Sequence, residues 1–169
     1  HRVGIEAAQA RPLDLVDEHD LFHAVHVDRE CGCEAHAHRG MTAVGGAFQI
    51  YIDPTAPPGN KGADEMRFMA LQPKAMLSFD WNAPPSLPEA RAQRTFVVVR
   101  FEALSEKATR VTLHHTGWGD GGEWDKAYAY FDRAWGNVLG NLKKRFDSGP
   151  QDWTAWLEQL KKWRAEGAK

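Results

Sequence analysis

Residues 110–146 read RVTLHHTGWGDGGEWDKAYAYFDRAWGNVLGNLKKRF, and the period of the pattern changes part-way through. From Arg110 to Trp118 it alternates. Val111, Leu113 and His115 fall on one face, and Thr112, His114 and Thr116 on the other, as in a half-buried strand. From Trp124 onward, Ala127, Phe131, Trp135, Val138, Leu142 and Phe146 recur at steps of three and four, which marks one apolar face of a long helix. Glu123 and Asp125 in its first turn, and Lys143, Lys144 and Arg145 in its last, suit the helix macrodipole. The glycines of Gly117-Trp118-Gly119-Asp120-Gly121-Gly122 permit a sharp strand-to-helix reversal, and Ser148-Gly149-Pro150 stops the helix. A helix with one apolar stripe, leaving directly from a strand, needs a sheet to lie on.

That sheet is legible upstream. Phe48 to Ile52, Glu65 to Leu71, Ala75 to Trp81 and Thr95 to Ala103 read as strands, separated by clusters of Pro, Gly, Asp and Asn. Short connections between successive strands imply an antiparallel meander. After the long helix, Asp152 to Glu166 carries Trp153, Trp156, Leu157, Leu160 and Trp163 at helical spacing. That second helix is expected to pack on the body or on a partner. The expected fold class is α+β: a curved antiparallel sheet gripping a long C-terminal helix, plus an extra terminal helix. The expected organisation is an atypical, irregular segment over 1–44, one domain over 45–149, and the terminal helix over 150–169.

With 169 residues the chain suits one domain with a real core. Apolar residues make up 43% and charged residues 26%, which excludes wholesale disorder. A net charge of −2 with both signs interspersed offers no footprint for nucleic acid. No apolar run is long enough to span a bilayer, and HRVGIEAAQARPLD has no signal-peptide core. Cys31 and Cys33 are too close to staple a fold, so a reducing cytoplasm is the expected setting.

Four sets of residues bear on chemistry. The first is His23, His26, Cys31, Cys33, His36 and His38, which offers imidazole and thiolate ligands. C-x-C followed by H-x-H is not a zinc-finger spacing, and no metal site is expected. The second is His115, the inward member of the His114-His115 pair. It reads as a core or pocket-rim histidine; a role as general base would require an orienting carboxylate. The third is the aromatic set Phe48, Phe68, Phe79, Trp81, Phe96, Phe101, Trp118, Trp124, Phe131 and Trp135, which fills a core or encloses an apolar pocket. The fourth is the Gly-rich turn. It lacks the Lys and Ser or Thr of a phosphate loop, and Glu123 and Asp125 would repel an anion.

These residues also carry a resemblance. His115-Thr116-Gly117-Trp118, then Trp124 and Trp135-x-x-x-Leu139-x-x-Leu142, resemble the C-terminal signature of the activator of heat-shock-protein-90 ATPase homologue family. Gly45-Gly46-Ala47-Phe48 and Pro73-x-x-Met76-Leu77-Ser78-Phe79-x-Trp81 are similar to two of its strands. The resemblance covers about 45–147 and implies the START-like helix-grip (SRPBCC) superfamily, with a cavity between sheet and helix. Residues 1–44 lack the family's opening motifs. If they are foreign to the fold, the sheet lacks its first strand, the edge beside the Phe48 strand is exposed, and the terminal helix is a candidate to cover the gap.

The leading expectation is a binding protein for a hydrophobic or lipid-like small molecule, with no cofactor and no catalytic residue. The expected lining is Phe79, Trp81, Val97, Val99, Phe101, Val111, Leu113, His115, Phe131 and Trp135, with His115 as the orienting polar contact. Two alternatives stand beside it. One is the chaperone-activator type of interaction module that the resemblance implies, although 1–44 is too short for the additional N-terminal domain such activators carry. The other is a cyclase- or hydrolase-like enzyme using the same cavity, with His115 as base.

Overall fold

The computed structural model describes residues 2–7, 43–51, 56–149 and 154–167. In chain order the elements are β1 (Arg2–Ala7), β2 (Ile50–Tyr51), β3 (Gly62–Ala63), β4 (Phe68–Gln72), β5 (Met76–Trp81), α1 (Pro88–Arg91), β6 (Thr95–Ser105), β7 (Ala108–Thr116), α2 (Glu123–Ser148) and α3 (Thr154–Gly167). β4 to β7 form the expected antiparallel meander within a five-stranded sheet ordered β1-β7-β6-β5-β4.

Alternation decides which face is inside. Val97 lies opposite His115, Val99 opposite Leu113 and Phe101 opposite Val111. Leu77 and Phe79 of β5 continue these rows opposite Val99 and Val97. Apart from the partly buried Phe101, all of these side chains are buried, whereas Phe96 and Arg100 on the other face are exposed. A one-residue slip would turn this apolar set to solvent, so burial itself fixes the register. Helix α2 covers the inner face with Phe131, Trp135, Leu139 and Leu142, all buried. Within this stripe Leu139 holds the buried place that the sequence periodicity gives to Val138, which is only partly buried.

Several expectations are corrected. The sheet does not lack a first strand: β1 pairs antiparallel with β7 from Arg2 opposite His114 to Ala7 opposite Thr109. The alternation of Val3, Ile5 and Ala7 with Arg2, Gly4 and Glu6 was its signal, brief and interrupted by a glycine. Of the strand expected over Phe48 to Ile52, Ile52 lies outside the described residues and Phe48 and Gln49 are not strand, leaving Ile50–Tyr51, which pairs with the unforeseen β3 in a separate ribbon. The chain before it docks on the β4 side: the Gly45 N–H donates to the Phe68 carbonyl, and the Phe68 N–H to the Gly46 carbonyl. This covers part of the β4 edge of the five-stranded sheet. The strand expected from Glu65 begins only at Phe68, because Glu65 takes a left-handed φ of 65° and a register shift follows between Phe68 and Ala70. There the Asp80 carboxylate accepts the Arg67 N–H at 2.5 Å, standing in for a missing ladder partner.

The terminal helix α3 is present, with Glu158, Gln159, Lys162 and Glu166 exposed. The side chains of its Trp face lie outside the described residues, as does the His/Cys segment from His23 to His38.

Two substitutions test which face is core. Leu139→Ala, at a site 1% exposed, is expected to cost about 2–5 kcal/mol in urea unfolding. Arg100→Ala, on the outer face, is expected to stay within about 0.5 kcal/mol of the parent. Equal effects would contradict the assigned faces.

Candidate functional site

The inner face of β5, β6 and β7 meets α2 in one apolar cluster. Eight of the ten expected lining residues are buried in it, Phe101 packs against it partly buried, and His115, also buried, meets the rings of Phe131 and Trp135. The aromatic members form a continuous series. Phe48 stacks on Phe79 at 4.1 Å and 22°, and Phe79 meets Trp81 edge-on at 5.6 Å. Trp81 lies 5.3 Å from Trp135, which stacks on Phe131 at 5.9 Å and 22°. These offset and edge-to-face geometries are the favourable ones for rings. Ile50 and Met66, unassigned from the sequence, join the same cluster.

One polar thread runs through it. The Trp135 indole Nε1–H donates to His115 Nδ1 at 2.9 Å. An indole only donates, so Nδ1 is the acceptor and the imidazole proton sits on Nε2. Nε2 lies 2.8 Å from Thr95 Oγ1, to which it therefore donates. The Thr95 hydroxyl in turn donates to the Trp81 carbonyl at 3.2 Å. A single relay thus ties α2 to β7, β6 and β5. His115 has no exposed surface, and burial pushes its pKa down from 6.5 to about 3. Near pH 7 it is a neutral imidazole with both nitrogens engaged, which makes it a weak general base.

Trp118 closes this end of the cluster. Its ring sits 4.1 Å from the His115 ring, and its Nε1–H donates to the His115 carbonyl at 3.0 Å. It also packs against a second, smaller cluster of Ala83, Ala90, Trp124 and Ala127. The Gly-rich turn is shaped by this packing. A Cβ on Gly119 would lie 2.3 Å from Trp124 Nε1, so only glycine fits beneath the indole.

Two features at this end were not legible in the sequence as sites. Glu123 does more than complement the α2 dipole: its Oε2 accepts the Ala90 N–H at 3.0 Å, satisfying a first-turn donor of α1. Arg91 is nearly buried and binds Asp64 Oδ1 at 3.1 Å, the Gly62 carbonyl at 2.8 Å, and the carbonyls of Gly59 and Ala83. Burial lowers its pKa, and the adjacent Asp64 carboxylate opposes that shift. A clamp made of carbonyls from distant turns has no sequence spacing to announce it. Among the described residues no group of three or more His, Cys, Asp or Glu could hold a metal, and no helix is long and apolar enough to cross a membrane.

The depressed His115 pKa makes stability depend on pH. Between pH 6.5 and about 3 the unfolded chain takes up a proton at this position that the folded chain does not. The His115 contribution is therefore complete above pH 6.5 and is lost as pH falls toward 3, with a slope of at most about 1.4 kcal/mol per pH unit. Urea unfolding at several pH values is expected to show His115→Gln losing less stability than the parent over this window; parallel curves would contradict burial of a neutral ring. Gly119→Ala is expected to lower stability by roughly 1–3 kcal/mol through displacement of Trp124, read as a drop in Tm.

The geometry has counterparts among known proteins. The family model described as Activator of Hsp90 ATPase homolog 1-like protein matches residues 32–147. Protein MLL2253 from Mesorhizobium loti superposes with a TM-score of 0.52 at 18% identity, over 87% of this chain and 97% of its own. A protein of Nitrosospira multiformis gives 0.52 at 13% identity, over 88% and 97%. DynU16, from the dynemicin biosynthetic locus, gives 0.51 at 18% identity, over 88% of this chain and 47% of its own. At such identities the three establish a shared fold. No curated protein matches the chain. The family match spans every strand from β2 to β7 and nearly all of α2, and the chain belongs to the Activator of Hsp90 ATPase homolog 1-like family, with its helix-grip fold.

Proposed function

We propose that this protein binds a small hydrophobic or lipid-like molecule between the inner face of its sheet and helix α2, in a cytoplasmic setting. The observation that carries the reading is the aromatic series from Phe48 through Trp81 and Trp135 to Phe131, which spans sheet and helix. Apolar walls with a few fixed polar groups are the usual make-up of a small-molecule site. Phe79, Trp81, Val97, Val99, Phe101, Val111, Leu113, His115, Phe131 and Trp135 form the lining. Binding is favoured over turnover, because His115 is held neutral with both ring nitrogens engaged.

Trp81 and Trp135 report occupancy. Titration with a panel of fatty alcohols, amides and aromatic probes is expected to give a saturable change in tryptophan emission for at least one class. A flat response across the panel would overturn the reading. The family description favours a second reading, an interaction module that stimulates a chaperone ATPase. Direct association with Hsp90 and a rise in its ATPase rate would support that reading instead.

A further inference from the structure

An exposed aromatic strip lies outside the grip, where β7 turns into α2. Trp118 is partly buried, with its ring 4.1 Å from that of His115 and 5.8 Å from that of Phe131. Tyr128, in the second turn of α2, is exposed and stands edge-on to Trp118 at 5.5 Å and 67°. On the other side of the turn, the exposed Phe96 ring lies 3.1 Å from where a Cβ on Gly117 would be. Phe96, Trp118 and Tyr128 thus run from the outer face of the sheet to the flank of α2. Exposed aromatic surface of this kind marks an interaction site, and Trp and Tyr are the residues that most often anchor one.

The charge beside the strip is negative. Asp125 precedes Tyr128 by three residues and Asp132 follows it by four, so both are its neighbours on the helix surface, and both are exposed. The helix dipole accounts for an acid in the first turn, but Asp132 lies beyond its reach. Lys126 and Arg133 stand two and five residues from Tyr128, on the opposite side of α2. Arg91 and Arg94, just before the strand that bears Phe96, are engaged with Asp64 and Glu65. An exposed ring between two carboxylates suits a cation that can also lie flat on the ring. A guanidinium does both: it stacks on an aromatic face and offers forked donors to a carboxylate, whereas an ammonium is a hydrated point charge.

We propose that the strip of Phe96, Trp118 and Tyr128 is a docking surface for an arginine-bearing segment of a partner protein, with one guanidinium stacked on Tyr128 and paired with Asp125. Apolar side chains beside that arginine lie on Trp118 and Phe96. A peptide segment fits better than a small free cation, because the strip is open and a single exposed ring holds a lone cation weakly. The surface is separate from the lining of the grip, so the proposal does not rest on the ligand reading.

The test uses the full chain, labelled with nitrogen-15, and three short peptides that alternate leucine with arginine, glutamine or glutamate. The arginine peptide is expected to shift the Trp118 indole N–H and the Asp125 and Tyr128 amides saturably, and to bind about fivefold or more tighter than the glutamine peptide. The glutamate peptide is expected not to bind. Asp125→Asn, and Tyr128→Leu, which keeps apolar bulk without a ring, are each expected to weaken the arginine peptide by about two- to fivefold. Glu106→Gln, in the turn between β6 and β7 at the far end of β7, is expected to leave its affinity unchanged. Asp125→Asn changes only an exposed side chain, so it remains readable even where Tyr128→Leu loosens Trp118. The proposal is overturned if the arginine peptide does not bind, if the glutamine peptide binds as well, or if the shifts centre elsewhere. It is also overturned if Asp125→Asn keeps the parent affinity or loses no more than Glu106→Gln.

Discussion

The hydrogen-bonded relay from Trp135 through His115 and Thr95 to the Trp81 carbonyl is the constraint on which this fold turns. Hydrophobic burial alone would let α2 slide or rotate over the inner face, since apolar contact has no direction. An indole N–H meeting one particular imidazole nitrogen does have direction. It fixes the rotation of α2 about its axis and its position along β7. The relay holds only while the imidazole is neutral. A protonated ring would leave Nδ1 as a donor facing a donor, in surroundings that cannot solvate the charge.

The packing around the relay protects that state. Trp118 lies over the imidazole, and Phe131 and Trp135 of α2 meet it edge-on at 5.0 and 5.8 Å. Trp118 can lie there because Gly119 lets the turn pass beneath Trp124, and because the second cluster anchors the start of α2. Glu123 then links that start to α1, and Arg91 of α1 holds the turns around Gly59, Gly62 and Ala83. The chain of dependence therefore runs outward from a core histidine to the loops at one end of the grip.

Much of this was legible in the sequence, for reasons that can be named. β7 and α2 show clean periods of two and near 3.6, since each buries one face. His115 was placed inward by alternation with Val111 and Leu113 alone, and it is buried. Its partners were not legible, because Thr95 and Trp135 are each 20 residues away and nothing local marks a long-range hydrogen bond. β1 was missed because a six-residue edge strand containing a glycine offers too short an alternation to stand out. The start of β4 was misplaced because a left-handed Glu65 and a register shift interrupt the period.

The protonation state of His115 tests the central claim most directly. Nitrogen-15 NMR of the imidazole, followed from pH 8 to pH 5, reports both tautomer and charge. The account predicts a neutral ring protonated at Nε2, with Nδ1 in the shift range of a hydrogen-bond acceptor and no titration across that range. A midpoint near 6.5, or a proton on Nδ1, would contradict it.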